Sequence, residues 1–268
     1  MTSAAALFSP QQALEPWLNG VYAVAQTVPR VGAVFAVMPF LSGKMIPGVA
    51  RNGLILTLAV FMAPASGPLL AEPNLTNWLL IAVKEALIGT MLGLGFGVLV
   101  WAVQSMGDLI DLQTGSGNAQ FFDPVGGHEG GRTGDFLGWL VVTLFVTTGG
   151  MLALVGAITE SFRVWPAATF APRLDRVLEL YVIRQGDTLL LWTVKLAAPV
   201  VFVLVMVDIG FGLLGRVAPQ LNLFVFSQPV KSLLATLMLL LMLFYMYESL
   251  QTFLTPENGV LQFLRSAL

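Results

Sequence analysis

The sequence is 268 residues long, 56% apolar and only 10% charged, with a mean hydropathy of +0.82. Soluble domains carry about 25% charged residues, so this chain cannot cover a water-facing surface, and lipid or large partner interfaces must take up the excess apolar area. A formal net charge of −2 gives no basic footprint for nucleic acid, and the absence of cysteine excludes disulfides, thiolate catalysis and thiolate metal sites.

The opening residues, MTSAAALFSPQQALEPW, show no basic stretch leading into an apolar core, so no cleaved signal peptide is expected. Six hydrophobic segments then follow, over 17–41, 47–64, 77–104, 136–162, 188–214 and 229–254. They predict an all-α fold of hydrophobic helical hairpins with nominally six transmembrane segments, taken as one domain over 1–268. Pro29 and Arg30 interrupt segment one. Pro47 opens segment two, and Pro64 with Pro68 closes it. Segment three carries Lys84 and Glu85 in its first third, then Gly89, Gly93 and Gly97 at four-residue spacing. That triple places small residues on one helix face and predicts a close helix-packing interface.

Between segments three and four lies GDLIDLQTGSGNAQFFDPVGGHEGG, Gly107–Gly131, which is polar, acidic and rich in glycine. The window Ser105–Asp135 holds Asp108, Asp111, Asp123, Glu129 and Asp135 against Arg132 alone. A long loop inside a hydrophobic protein is functional or disordered. Leu109, Ile110, Leu112, Phe121 and Phe122 need somewhere to pack, which argues for a structured element that lines or obstructs a passage. The expected loop spans 105–135.

Segment four contains no charge from Phe136 to Thr159, when about 20 apolar residues suffice to cross a bilayer core. It reads as the cleanest span, stopped by Trp165-Pro166. The region 163–187 mixes arginines and carboxylates with apolar residues at helical spacing, predicting an amphipathic helix at a surface or lipid interface. Segment five holds Lys195, Pro199 and Asp208, and Pro219 and Pro229 bracket a connector before segment six. Met238, Met242 and Met246 form a one-face stripe that reads as core packing. With all six segments crossing, the connecting loops carry five Lys and Arg on one side and four on the other. This leaves no asymmetry to fix orientation. Helices that do not all end up across a bilayer would explain the balance.

Ionisable residues in apolar helices are functional hypotheses because their desolvation is costly. Lys84, Glu85, Glu160, Lys195 and Asp208 qualify, either as a relay with Lys195 as counter-ion to Glu85 and Asp208, or as pairs that fix register. No second carboxylate follows at relay spacing, which favours pairing. His128, the single histidine, has no nucleophile nearby, so no catalytic residue is assigned and no enzyme is expected. Asp108 and Asp111 share a helical face but lack a third ligand, so neither a metal nor any other cofactor is expected. The GLGFG and GSG pieces lack the strand and acidic partner of a nucleotide site.

The order of features over about 230 residues resembles the export-gate family of type III secretion systems, of the flagellar FliR and injectisome SctT type. The matching pieces are Arg30 with Pro39, Pro47 with Arg51, Glu85 before IGTMLG, and GDLIDLQTGSGNAQFFDP. They continue with Gly149-Gly150, Ser161 before Trp165-Pro166, and DIGFGLLGRVAPQLNLFVFSQPVK. The resemblance implies a core gate subunit in the bacterial inner membrane, completing a helical ring with two other small hydrophobic subunits and contacting the wider export apparatus. Membrane lipid and secreted proteins in transit would be further partners, and part of the complex would stand above the bilayer plane. The family's plug loop falls on about Ser105–Pro124. There Gly107, Gly115 and Gly117 would supply bending, and Phe121 and Phe122 an apolar seal. Asp123-Pro124 would make the exit turn, while Asp111 and Gln113 would bond within the plug or to a neighbour. The injectisome is favoured over the flagellum from the TGSGNAQFFDP loop. The rival reading is a secondary transporter with a midplane site at Glu85, Lys195 and Asp208, although the halves 1–134 and 135–268 show no repeat.

Overall fold

The computed structural model describes residues 10–42, 46–67, 74–115, 131–168, 174–217 and 223–254. Among these the chain is helical throughout, with no strand. Seven helices run in order: α1 Pro10–Val37, α2 Gly48–Met62, α3 Leu75–Thr114, α4 Arg132–Thr147, α5 Gly150–Val164, α6 Leu174–Val217 and α7 Leu223–Leu254. The all-α expectation holds. Five helices are long and apolar enough to cross a membrane, or six if the broken pair α4 and α5 counts as one span.

The apolar runs set the helices, and proline and glycine set their ends. Pro47 precedes the first residue of α2, and Pro64 sits in a 3-10 turn at Ala63–Ala65 that closes it. Trp165-Pro166 ends α5 as expected. Three expectations are corrected. Segment four, charge-free over 136–159, is broken at Thr148-Gly149, because Gly149 takes a φ of +87° that ends the α4 hydrogen-bond ladder. Residues 174–187, expected to precede segment five at 188–214, are instead the start of the 44-residue α6. Pro229 lies inside α7 rather than at a connector boundary, since neighbouring helices and apolar surroundings tolerate a missing N–H.

Burial separates the long helices. In α3, 72% of the best apolar window is buried within the chain, against 17% for α2 and 22% each for α6 and α7. Hence α3 is an internal helix, and the others present apolar faces outward. The described helices sort into two compact units. One takes the described residues up to Gly97 with those from Leu152 to Val182, and the other takes Val98–Met151 with Ile183 onward.

In the first unit α1 lies directly on α3. A Cβ at Gly89 would collide with the Arg30 carbonyl and reach Ala33 Cβ at 2.9 Å, and one at Gly93 would reach Val37 Cβ at 3.0 Å. Gly97 is also buried. The glycine triple is thus a helix-packing face, and its first two residues meet α1 of the same chain. Val31, Val34, Phe35, Ile88, Met91, Ile158 and Phe162 fill the core beside it.

In the second unit α3 crosses α4 with Gly107 facing Gly134, where a Cβ on Gly107 would lie 2.5 Å from the Gly134 Cα. Thr193 on α6 donates to the Ala102 carbonyl of α3 at 3.3 Å. Met242 and Met246 are buried on α7, in keeping with a core stripe.

Candidate functional site: the root of the central segment and a buried ion cluster

The central polar stretch is helical at both ends, so the loop expected over 105–135 is shorter. α3 continues through Thr114 and α4 begins at Arg132, because Met106 and Ile110 pack inward as α3 core residues and hold the helix. Gly115 ends α3 with a φ of +74°, and its N–H donates to the Leu112 carbonyl at 3.3 Å. That is a glycine-specific helix stop. Gly107 is helical, and its missing Cβ admits α4. Gly117, Phe121, Phe122, Asp123, Pro124 and His128 lie outside the described residues.

The two aspartates of the last α3 turns cap the start of α4 across the gap. Asp108 Oδ1 accepts the Gly131 N–H at 2.9 Å, and Asp111 Oδ2 accepts the Thr133 N–H at 2.8 Å. Asp111 Oδ1 also accepts the Thr133 hydroxyl at 2.5 Å. The first N–H groups of a helix have no internal partner, and a carboxylate satisfies them while complementing the helix dipole. Gly131 and Gly134 are glycines because a Cβ on either would collide with these carboxylates. On the opposite flank, Lys231 of α7 donates to the Gln113 carbonyl at 3.1 Å and pairs with Asp208 of α6. Asp111 and the Gln113 main chain therefore bond within the chain, and the described residues up to Gly115 and from Gly131 are tied to one another and to α7.

The second constellation joins α1, α3 and α5. Arg30 and Glu85 are both 0% exposed and form a two-point pair, Nε to Oε2 at 2.7 Å and Nη2 to Oε1 at 3.0 Å. Arg30 Nη1 donates to the Ser161 hydroxyl at 2.9 Å, and Nη2 to the Trp165 carbonyl at 2.8 Å. The guanidinium also stands 3.9 Å over the Phe162 ring. Lys84 Nζ pairs with Glu85 at 2.9 Å and donates to the Pro166 and Ala167 carbonyls at 3.0 and 2.7 Å. Burying three charges is tolerable because each is paired and hydrogen-bonded. The proline break after α5 supplies carbonyls that a continued helix would have used internally.

Of the expected buried charges, Lys84 and Glu85 are buried, whereas Lys195 and Asp208 are exposed within this chain. Lys195 lies near the Trp192 ring at 5.1 Å, and Glu160 is paired with Arg163 at the surface. Each carboxylate of the supposed relay already has its own cation: Glu85 has Arg30 and Lys84, and Asp208 has Lys231. Lys195 serves as counter-ion to neither. Pairing is the arrangement found, with Arg30, Lys84 and Lys231 as the cations. Sequence reasoning missed the part played by Arg30, which it took for an interruption of segment one. An arginine in an apolar helix needs a buried carboxylate, but Glu85, Glu160 and Asp208 all offer one in the sequence, and only packing selects Glu85.

Residues 21–255 match the family model of bacterial export proteins, family 1. The chain is 33% identical to Yop proteins translocation protein T of Yersinia pestis over 217 residues, covering 80% of this chain and 83% of that protein. It is 30% identical to the surface presentation of antigens protein SpaR of Salmonella typhimurium, covering 79% of each. It is also 30% identical to flagellar biosynthetic protein FliR of Escherichia coli, covering 84% of this chain and 87% of the relative. The all-α fold of long apolar helices and the match over nearly all of it together place this chain in the type III secretion export-gate family.

Proposed function

We propose that this chain is a core subunit of a type III protein export gate in the bacterial inner membrane, where it completes a helical ring with two other small hydrophobic subunits. The segment about 105–124 closes the passage to ions and small molecules until an unfolded substrate arrives. The observation that carries this reading is the root of that segment. Asp108 and Asp111 tie the end of α3 to the start of α4, Lys231 holds the last α3 turn, and Gly115 in the left-handed region ends that helix. A segment tied at both ends to a buried helix can occupy a conduit without being carried away by substrate. The chain acts as a structural component rather than an enzyme, with no cofactor.

Helix length supports placing part of the assembly beyond the bilayer. At about 1.5 Å per residue a 40-residue helix such as α3 runs roughly 60 Å, twice the apolar thickness of a membrane. The outward apolar faces of α2, α6 and α7 suit docking against sister subunits and lipid. We assign the chain to an injectisome from its TGSGNAQFFDP segment, with the Yersinia and Salmonella relatives in support. Gene deletion decides this: loss of secreted effectors with intact swimming is expected, and loss of swimming alone would reassign it to a flagellum. Plugging is tested by removing 116–122 in the assembled complex. Ion leak across the membrane is expected to rise, and an unchanged, tight membrane would count against closure by this segment.

A further inference from the structure

The second unit contains a buried ammonium at the end of α3. Lys231 lies on α7, three residues after Gln228, with a side chain 7% exposed. Its Nζ reaches both the Gln113 carbonyl of α3 and the carboxylate of Asp208 on α6. Gln113 is the last residue but one of α3, where carbonyls lack partners along the helix and the helix end carries partial negative charge. A cation supplied by another helix satisfies both needs. Beside it, the Gln228 amide rests on Gly115, since a Cβ at Gly115 would meet Gln228 Oε1 at 2.6 Å. That oxygen is enclosed without a hydrogen-bond partner among the described residues. Two side chains on one face of α7 therefore grip the final turn of α3. The cost of taking an ammonium out of water is offset only while both oxygens stay in place, so the grip holds or releases as a whole.

We propose that Lys231 is a positioning residue, a pin that fixes the last turn of α3 against α7 and sets the direction in which the chain leaves that helix at Gly115. The role rests on the closure reading above, because its consequence for transport is that a released pin unseats the root of the closing segment. Gln228 is the floor under that turn, and Asp208 is the counter-charge that holds the ammonium on station.

The test uses the full chain in its membrane complex. Ion leak is measured for Lys231→Met, for Lys231→Arg, for Lys231→Met combined with Asp208→Leu, and for deletion of 116–122. The sequence has no cysteine, so Thr114→Cys, at a position 6% exposed, provides a single thiol whose maleimide labelling reports on the last α3 turn. Lys231→Met is expected to raise both labelling and leak by about tenfold or more, the factor that losing a hydrogen bond to a charged group implies. Lys231→Arg restores both, and the double variant stays leaky. A tight, slowly labelled Lys231→Met overturns the pin. A tight double variant also overturns it, because Lys231 would then matter only as half of an ion pair. If Lys231→Met does not assemble, Gln228→Ala carries the test. Faster labelling at position 114 then supports the grip, and unchanged labelling overturns it. A tight deletion overturns closure by the segment, whereas a leaky deletion beside a tight Lys231→Met overturns the pin alone.

Discussion

Arg30 shows how an apolar helix can carry a full charge. Its guanidinium serves a carboxylate, a hydroxyl and a main-chain carbonyl at once, and stacks on an aromatic ring. A planar fork of five donors does this, and a lysine ammonium at the same position does not. Removing one member of a buried pair leaves the other charge uncompensated, at a cost of about 3–5 kcal/mol. Arg30→Leu and Glu85→Gln are therefore each expected to lower thermal stability sharply in detergent, read as loss of the folded fraction on size exclusion after heating. Arg30→Lys is expected to recover only part of it. Wild-type melting of all three variants would show the cluster to be ornamental.

At the scale of the helix, the glycines divide by what a Cβ would meet. Gly107 and Gly134 face each other where α3 crosses α4, and any side chain there forces the helices apart. Overpacking of that kind costs about 1–3 kcal/mol or more, so Gly107→Val is expected to lower the melting temperature and disturb the Asp108 and Asp111 caps built on the crossing. Gly156 lies inside α5 with nothing within 4 Å of its Cβ position. Gly156→Ala is expected to be neutral or to stabilise by up to about 1 kcal/mol, the helix-propensity difference. The contrast between the two, measured in one preparation, checks the assignment. Equal melting temperatures would count against a tight crossing of α3 and α4. Regular spacing exposed the triple at Gly89, Gly93 and Gly97, but Gly107 and Gly134 come from distant parts of the chain and have no periodicity to reveal them.

For the whole molecule, the outward faces govern behaviour. On α7, Leu233, Leu237, Leu240, Leu241 and Phe244 are all more than half exposed, and α6 adds Phe202, Ile209, Leu213 and Leu214. Apolar patches of this extent mark partner or lipid surfaces. A tagged chain is expected to co-purify with two small hydrophobic proteins from its own cells and to aggregate when expressed alone. Mass spectrometry and light scattering check both, and a monodisperse single copy in mild detergent would argue against assembly as the source of its stability.

Composition and hydrophobic run length settled the helical class and the membrane setting, because charge scarcity and 3.6-residue periodicity are local properties. Order and spacing of motifs settled the family for the same reason. Helix breaks were legible wherever a proline stood in the main chain's way, as at Pro47, Pro64 and Trp165-Pro166. They were misread at Pro29 and Pro229, which lie inside α1 and α7, and where a glycine broke a charge-free run at Gly149. Charge pairing was beyond the sequence: Glu85 and Asp208 had been grouped around Lys195, yet their cations are Arg30 with Lys84, and Lys231. Electrostatic partnership depends on which helix faces are brought within about 3 Å, and Arg30 and Glu85, 55 positions apart, acquire that distance only when the chain has packed.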